Sequence, residues 1–321
     1  MRTRALGQTG LRLTELGFGA ALLGNLYSPL SDEDAAAAVD AAWDAGVRYF
    51  DVAPHYGLGL AERRLGRALA GRPRDRFVVS TKVGRLLEPN PSPTGSDLAA
   101  GGFAVDDGLR RRRDYSADGV RRSLDESLAR LGLDRVDLLL VHDPEEHMEQ
   151  ALGEAVPALV ALRAQGVIGA IGIGMNLVDP LRRFVREADI DVVLVAGRYT
   201  LVDRRAQPLL EDCAAHGVGA IVAAPFNSGL LASEEVSGDA RFDYVRAPDD
   251  VVACARQCAR VCARHDATLP AAALQFGLRH PATVSVLAGM RTAAEVEQNL
   301  AWMEVRLAPA LWDELPAPAR A

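Results

Sequence analysis

Lysine is all but missing from this 321-residue chain: of its 36 basic residues, all but Lys82 are arginine. Arginine keeps its proton and presents a rigid fork, so a single amine points to a position that needs a compact, tunable charge. A chance survivor of an arginine-favouring composition is the competing reading. No apolar run approaches the length of a membrane span, and the opening stretch from Met1 to Gly7 lacks the apolar core of a secretory signal, so the cytoplasm is the expected compartment. The net charge of −7 offers no basic footprint for nucleic acid or an acidic membrane. A small-molecule partner and a monomer or small homo-oligomer are expected instead. The one basic cluster, Arg110 to Arg113, is followed by Asp114 and reads as a solvated loop. Four cysteines in a chain this long do not make a disulfide framework. Cys254, Cys258 and Cys262 recur every four residues and share one helix face; with His265 they match no zinc pattern, and packing as small hydrophobes is expected.

A glycine-rich dinucleotide turn is also missing. Gly57 and Gly59 are followed by Glu62 where a third glycine belongs, and Gly172 and Gly174 by Leu177. What is present is an alternation of short apolar runs with helix-favouring stretches. Leu11 to Leu16 suits an N-terminal hairpin and Leu16 to Gly19 a first buried strand. Strands follow at Val47 to Ala53, Phe77 to Thr81, Val136 to Val141, Ile168 to Gly174, Val192 to Val195, Val218 to Ala224 and Thr283 to Leu287. Ser31 and Ser116 sit where helix caps belong, and the stretch from Val120 to Leu131 carries apolar residues at helical spacing. About eight strand–helix units with fully apolar strands predict a (β/α)8 barrel over 1–321 as one domain, with a C-terminal tail. The stretch Arg85 to Tyr115, rich in proline and glycine, reads as a long irregular loop after the third barrel strand, folding over a substrate mouth.

In such a barrel, functional residues lie at the carboxyl ends of strands. Asp51, Lys82 and His142 each end a predicted strand, and Tyr56 follows Asp51 in a loop punctuated by Pro54 and Gly57. An isolated Asp51 suits a loop cap and a lone His142 a satisfied structural histidine. Four such groups converging on one mouth form a proton-transfer constellation instead.

These residues resemble the aldo-keto reductase superfamily. Phe50-Asp51-Val52-Ala53-Pro54-His55-Tyr56-Gly57 with Glu62 is similar to its Asp–Tyr signature, Ser80-Thr81-Lys82 to its lysine strand, Leu139 to His142 to its histidine strand, and Gly172 to Asn176 to its carboxamide-binding strand end. The stretches from Leu194 to Leu201 and from Ala224 to Leu231, with His142-Asp143-Pro144, resemble its aldose dehydrogenase group, which includes L-fucose, D-threo-aldose, L-galactose and pyridoxal 4-dehydrogenases. The resemblance implies an NAD(P)-dependent oxidoreductase acting on a sugar lactol or another small alcohol or carbonyl. Tyr56 is then the acid/base, its pKa lowered by Lys82; Asp51 orients Lys82, and His142 orients the substrate oxygen. With only three tryptophans, two of them near the C-terminus, no sugar-stacking platform is evident.

The resemblance also implies a dinucleotide path. Asn176 would hold the carboxamide, with Gly197 and Arg198 on the nicotinamide side. Phe226, Asn227, Ser228, Gly229 and Leu230 would follow the pyrophosphate; Gly289, Met290, Arg291, Thr292, Glu295, Gln298 and Asn299 would surround the adenosine. By their residue types alone, Asn176 suits a loop cap and Arg198 a surface ion pair. Glu295 stands where NADP-preferring members place an arginine, and its spacing from Thr292 fits a capping box. Its carboxylate near the 2′-position makes NAD the expected cofactor over NADP. A metallohydrolase using Asp51, His55, Lys82 and His142 is a rival, but the first strand, Phe18 to Ala21, lacks the paired histidines it needs, and no metal is expected. The same residues would also suit an NADPH-dependent aldehyde or ketone reductase, or a nucleotide-binding redox-sensing subunit.

Overall fold

A computed structural model describes residues 1–321. Eight parallel strands close into a barrel: β1 (Leu16–Gly19), β2 (Tyr49–Asp51), β3 (Val78–Val83), β4 (Leu138–His142), β5 (Ala170–Met175), β6 (Val192–Ala196), β7 (Gly219–Ala223) and β8 (Thr283–Gly289). Each pairs with its chain neighbour, and β8 returns to β1 through Val286↔Leu16 and Gly289↔Gly19. The alternation expected along the chain is therefore a (β/α)8 barrel.

The two-residue period of a strand decides what faces inward. Tyr49 and Asp51 of β2 point in, while Phe50 packs outward against helices; Leu138, Leu140 and His142 alternate likewise with Leu139 and Val141. Below, the barrel is plugged by the hairpin Thr3–Ala5 with Arg12–Thr14, whose Leu13 and the adjoining Leu6 are buried against Tyr49, Leu138 and Ile221. Gly172 keeps β5 against β6: a Cβ there would sit 2.1 Å from the Val192 carbonyl oxygen.

Local signals place the outer helices. Ser31 Oγ accepts from Asp34 N at 3.0 Å and starts Asp32–Asp44. Ser116 does the same for Ala117–Leu131, which Gly132 ends in the left-handed region. Cys254, Cys258 and Cys262 lie buried on one face of Asp249–Arg264, as their spacing predicts.

The helix expected up to Gln165 runs continuously from Met148 to Ala164, with its Ala151–Ala155 turn widened to π. Two expectations need correction. The ladder around Asp51 covers only Tyr49–Asp51, since Val47 and Arg48 precede the barrel pairing. The stretch after β3 is not irregular: Arg85–Pro89 pairs antiparallel with Leu109–Arg113, and a one-turn helix, Leu98–Gly101, lies at its tip. Arg110 to Arg113 is thus a strand rather than a solvated loop. Its side chains are held by carboxylates instead of an apolar face: Arg111 by Asp97 (2.6 Å), Arg112 by Glu88 (2.7 Å) and Arg113 by Glu146 (3.1 Å).

Candidate active site

Inward alternation on β2, β3 and β4 brings Asp51, Lys82 and His142 to the carboxyl end of the barrel, as expected from the chain. Lys82 Nζ donates to Asp51 Oδ2 at 2.6 Å, to the Val52 carbonyl at 3.0 Å and to the Tyr56 hydroxyl at 3.1 Å. The other oxygen of Asp51 accepts from Ser80 Oγ at 2.7 Å, and Ser80 meets the Tyr49 hydroxyl one layer down. Burial alone would lower the pKa of Lys82, but Asp51 and the Tyr56 oxygen outweigh it and raise the pKa above its ordinary value. The amine is a fixed cation. Outside the barrel, Glu62 accepts from Thr81 Oγ1 (2.8 Å) and Arg130 Nε (2.5 Å), so the signature glutamate locks the helix after Tyr56 against β3.

Tyr56 departs from expectation in one respect. Burial raises its pKa; Lys82 opposes this, Asp51 adds to it, and the net shift is upward. Lys82 therefore moderates the phenol's pKa without bringing it below the ordinary value, because desolvation is the larger effect. His142 is held well below its normal pKa by burial and then by the charges of Arg85 and Lys82, and His55 is pushed down to about 2 in the same way. Both rings are neutral imidazoles. They meet each other and Tyr56 at centroid distances of 5.7–6.1 Å, with Phe103 closing the group from the hairpin tip.

Two cavities share Tyr56. One, of 520 Å³, is lined by His55, Lys82, Arg85, Phe103, His142 and Asp143 among others. The other, of 600 Å³, runs from Asp51 along the ends of β1, β7 and β8 to the helix Ala293–Glu304. Along it, the residues expected to follow a dinucleotide are partly assembled. Phe226, Asn227, Ser228, Gly229, Gly289, Glu295, Gln298 and Asn299 line this cleft. Leu230 and Met290 are core residues beneath it. Thr292 caps the helix, accepting from Glu295 N at 3.2 Å, while the Glu295 carboxylate accepts from Arg291 N at 2.7 Å. The Arg291 guanidinium reaches Ser28 Oγ and the Pro29 carbonyl. Asn176 lies exposed on the wall of the first cavity. Gly197 and Arg198 stand off both walls: Arg198 is buried on Asp243 (2.6 Å), and the Gly197 carbonyl accepts from Asn227 Nδ2 (3.0 Å).

The aldo/keto reductase family pattern matches residues 15–317. The chain belongs to the aldo/keto reductase family. It is 49% identical over 315 residues to a D-threo-aldose 1-dehydrogenase of Pseudomonas sp, covering 97% of this chain and 95% of that one. It is also 41% identical to a pyridoxal 4-dehydrogenase of Microbacterium luteolum, covering 97% and 96%. The holo form of an aldo-keto reductase from Bacillus halodurans superimposes with a TM-score of 0.77 at 25% identity, covering 99% and 97%. The protein is thus an oxidoreductase enzyme.

This aldo/keto reductase has site residues that the strand-end rule did not reach. Tyr27 and Tyr244 stand 46% and 60% exposed at the mouth, their rings 6.4 Å apart, and both line both cavities. Their rings, inclined at 53°, place two aromatic side chains at the mouth that a count of tryptophan does not reveal. Tyr244 lies in the turn between Arg241–Phe242 and Val245–Arg246, a hairpin with no apolar alternation to announce it. Tyr115 carries a clearer signal, an aromatic next to a helix cap; its hydroxyl donates to the carbonyls of His142 and Asp143, both at 2.7 Å.

Proposed function

We propose that this enzyme oxidises the anomeric carbon of an aldose in its ring form, with NAD preferred over NADP and Tyr56 as proton acceptor. The observation that carries the reading is the Tyr56 hydroxyl, held by a fixed ammonium where the two cavities meet. The 49% identity to a D-threo-aldose 1-dehydrogenase favours a sugar lactol as the alcohol.

The cleft fits a dinucleotide. Asn227 Oδ1 and Asn299 Oδ1 are buried without partners, and both side chains belong to the cleft wall. Between them, Ala224, Asn227 and Ser228 hold positive φ (54°, 44° and 59°), a strain that persists at ligand clamps. The N–H groups of Phe226 and Ser228 take no backbone acceptor, as suits a pyrophosphate. On this reading Asn227, Ser228 and Gly229 hold the phosphates, and Gln298 and Asn299 the adenine. Asn176 stands at the nicotinamide end. Glu295 puts a carboxylate beside the 2′-position and Arg291 is engaged by Ser28 and Pro29, which together favour NAD.

The oxidised nicotinamide, when bound, would supply the hydride acceptor. Tyr56 enters the step ionised, its phenolate held by Lys82, takes the anomeric hydroxyl proton as hydride leaves C1, and becomes the phenol as the lactone carbonyl forms. Because burial keeps the phenol's pKa up, the ionised form grows with pH; Asp51 fixes the amine so that little reorganisation is needed. His142, neutral at working pH, donates an N–H to the substrate oxygen and aligns it with Tyr56. The test is an initial-rate screen with NAD⁺ and NADP⁺ against neutral aldoses, pyridoxal and simple alcohols. Aldose turnover with a higher kcat/KM for NAD⁺ is the expected result. Turnover of simple alcohols alone would overturn the sugar reading, and a preference for NADP⁺ would overturn the role given to Glu295.

A further inference from the structure

We propose that Asp143 is a specificity-determining residue: its carboxylate accepts hydrogen bonds from ring hydroxyls and makes the cavity selective for neutral polyhydroxylated substrates over phosphorylated or carboxylated ones. The inference rests on the aldose reading of this cavity.

The backbone of Asp143 is in the left-handed region (φ 45°), unusual outside glycine, and its surroundings hold it there. Its N–H donates to the Gly174 carbonyl at 3.0 Å, and the Tyr115 hydroxyl grips its carbonyl and that of His142 from below. Tyr115 is fully buried, and its ring fills the space that any side chain at Gly84 would need, 2.2 Å from a Cβ there. The turn thus presents the carboxylate to the cavity, with the side chain 27% exposed.

Charge on this wall is already balanced. Lys82 pairs with Asp51, Arg85 pairs with Asp143 Oδ2, and His55 and His142 are neutral. An anionic substituent finds no unpaired cation and would have to draw Arg85 away from Asp143. A hydroxyl meets a better partner: Asp143 Oδ1 takes no bond from the chain, while Oδ2, 3.5 Å from His142 Nε2, ties the acceptor to the histidine that aligns the reacting oxygen. Hydroxyl-to-carboxylate bonds are charge-assisted and among the stronger ones. Tyr27 and Tyr244 face the opening and offer rings to the C–H face of a sugar.

The test compares kcat/KM of the wild type, Asp143→Asn and Asp143→Ser on L-fucose and D-glucose, on D-glucose 6-phosphate, and on butanal in the reductive direction. NADH affinity by fluorescence titration reports on folding, and the serine variant serves if the asparagine variant misfolds. Both variants should lose about tenfold to hundredfold on the neutral aldoses, mainly through KM, and at least tenfold more than on butanal. The wild type should prefer glucose to its 6-phosphate by about a hundredfold, and the gap should narrow about tenfold in the variants as Arg85 is released. Equal losses on aldoses and butanal, or no loss on aldoses, would overturn the inference. If the wild type oxidises no aldose with either dinucleotide, the underlying reading fails; if it does and the variant ratios stay at wild-type values, only the role of Asp143 fails.

Discussion

The two cavities that share Tyr56 differ in how their charged groups are paired. On the His142 side each charge is closed upon another, Lys82 on Asp51 and Arg85 on Asp143, and the imidazoles are neutral. On the Asn299 side amide oxygens are buried without partners, three non-glycine residues hold positive φ, and the Glu295 carboxylate faces the cleft. A wall of closed pairs suits a substrate without charge. Buried polar atoms without partners occur on both walls, His55 Nδ1 and His142 Nδ1 on one and the two amide oxygens on the other. Asp143 adds a positive φ on the first, so both surfaces suit completion by a ligand. On the proposed reading catalysis and dinucleotide binding are separable here, with Tyr56 at the boundary between the two walls.

The sharpest way to break that separation is Tyr56→Phe. It should lower kcat by about 10²–10⁴ while dinucleotide affinity, read by fluorescence titration, stays within about twofold. A parallel loss of affinity would join the two walls functionally. Lys82→Met comes next, with an expected loss of about a hundredfold. Lys82 is the group that opposes the burial-driven rise of the Tyr56 pKa, so its removal should also move the rising limb of the oxidation rate to higher pH. A limb that stays in place would exclude the phenol as the titrating group.

Acid should weaken the fold through the neutral histidines. His55, down at about 2 in the folded chain and near 6.5 when unfolded, takes up a proton only on unfolding in the interval between. Stability is therefore retained above about pH 6.5 and falls as pH drops, by at most about 2 kcal/mol at pH 5 for a ring partly open to the cavity. Urea midpoints at pH 7 and pH 5 should converge in His55→Gln; an unaltered difference would place the acid sensitivity elsewhere. The smallest effect belongs to the cleft. Glu295→Arg should shift the kcat/KM ratio toward NADP⁺ by about tenfold, equivalent to about 1.4 kcal/mol, with the response of the rate to Tyr56 ionisation as in the wild type. No shift would remove Glu295 from the 2′-position.

Much of the chemistry-bearing wall was legible because strand periodicity carries it. The run from Phe77 to Thr81 leads into Lys82 and that from Val136 to Val141 into His142, and Lys82 stood out as the one lysine. The caps at Ser31 and Ser116 and the Thr292–Glu295 pair were readable because capping depends on a few neighbouring residues. The hairpin after β3 was not, since Arg110 to Arg113 is held by long-range ion pairs that leave no apolar alternation. The same reason hid Tyr244. The partner of Arg198 was hidden for a related one: Asp243 lies 45 residues away on that second hairpin. The sign of the Tyr56 shift was beyond the sequence because it depends on how completely the ring is buried against how near Lys82 stands.

The measurement that bears most directly on the account is one incubation of the wild-type enzyme with NAD⁺ and an aldose deuterated at C1. Deuterium is expected on the reduced nicotinamide, with the aldonolactone as the other product and loss of both signals in Tyr56→Phe. Reduced nicotinamide without the label, or label transfer that persists at the wild-type rate in Tyr56→Phe, would contradict it.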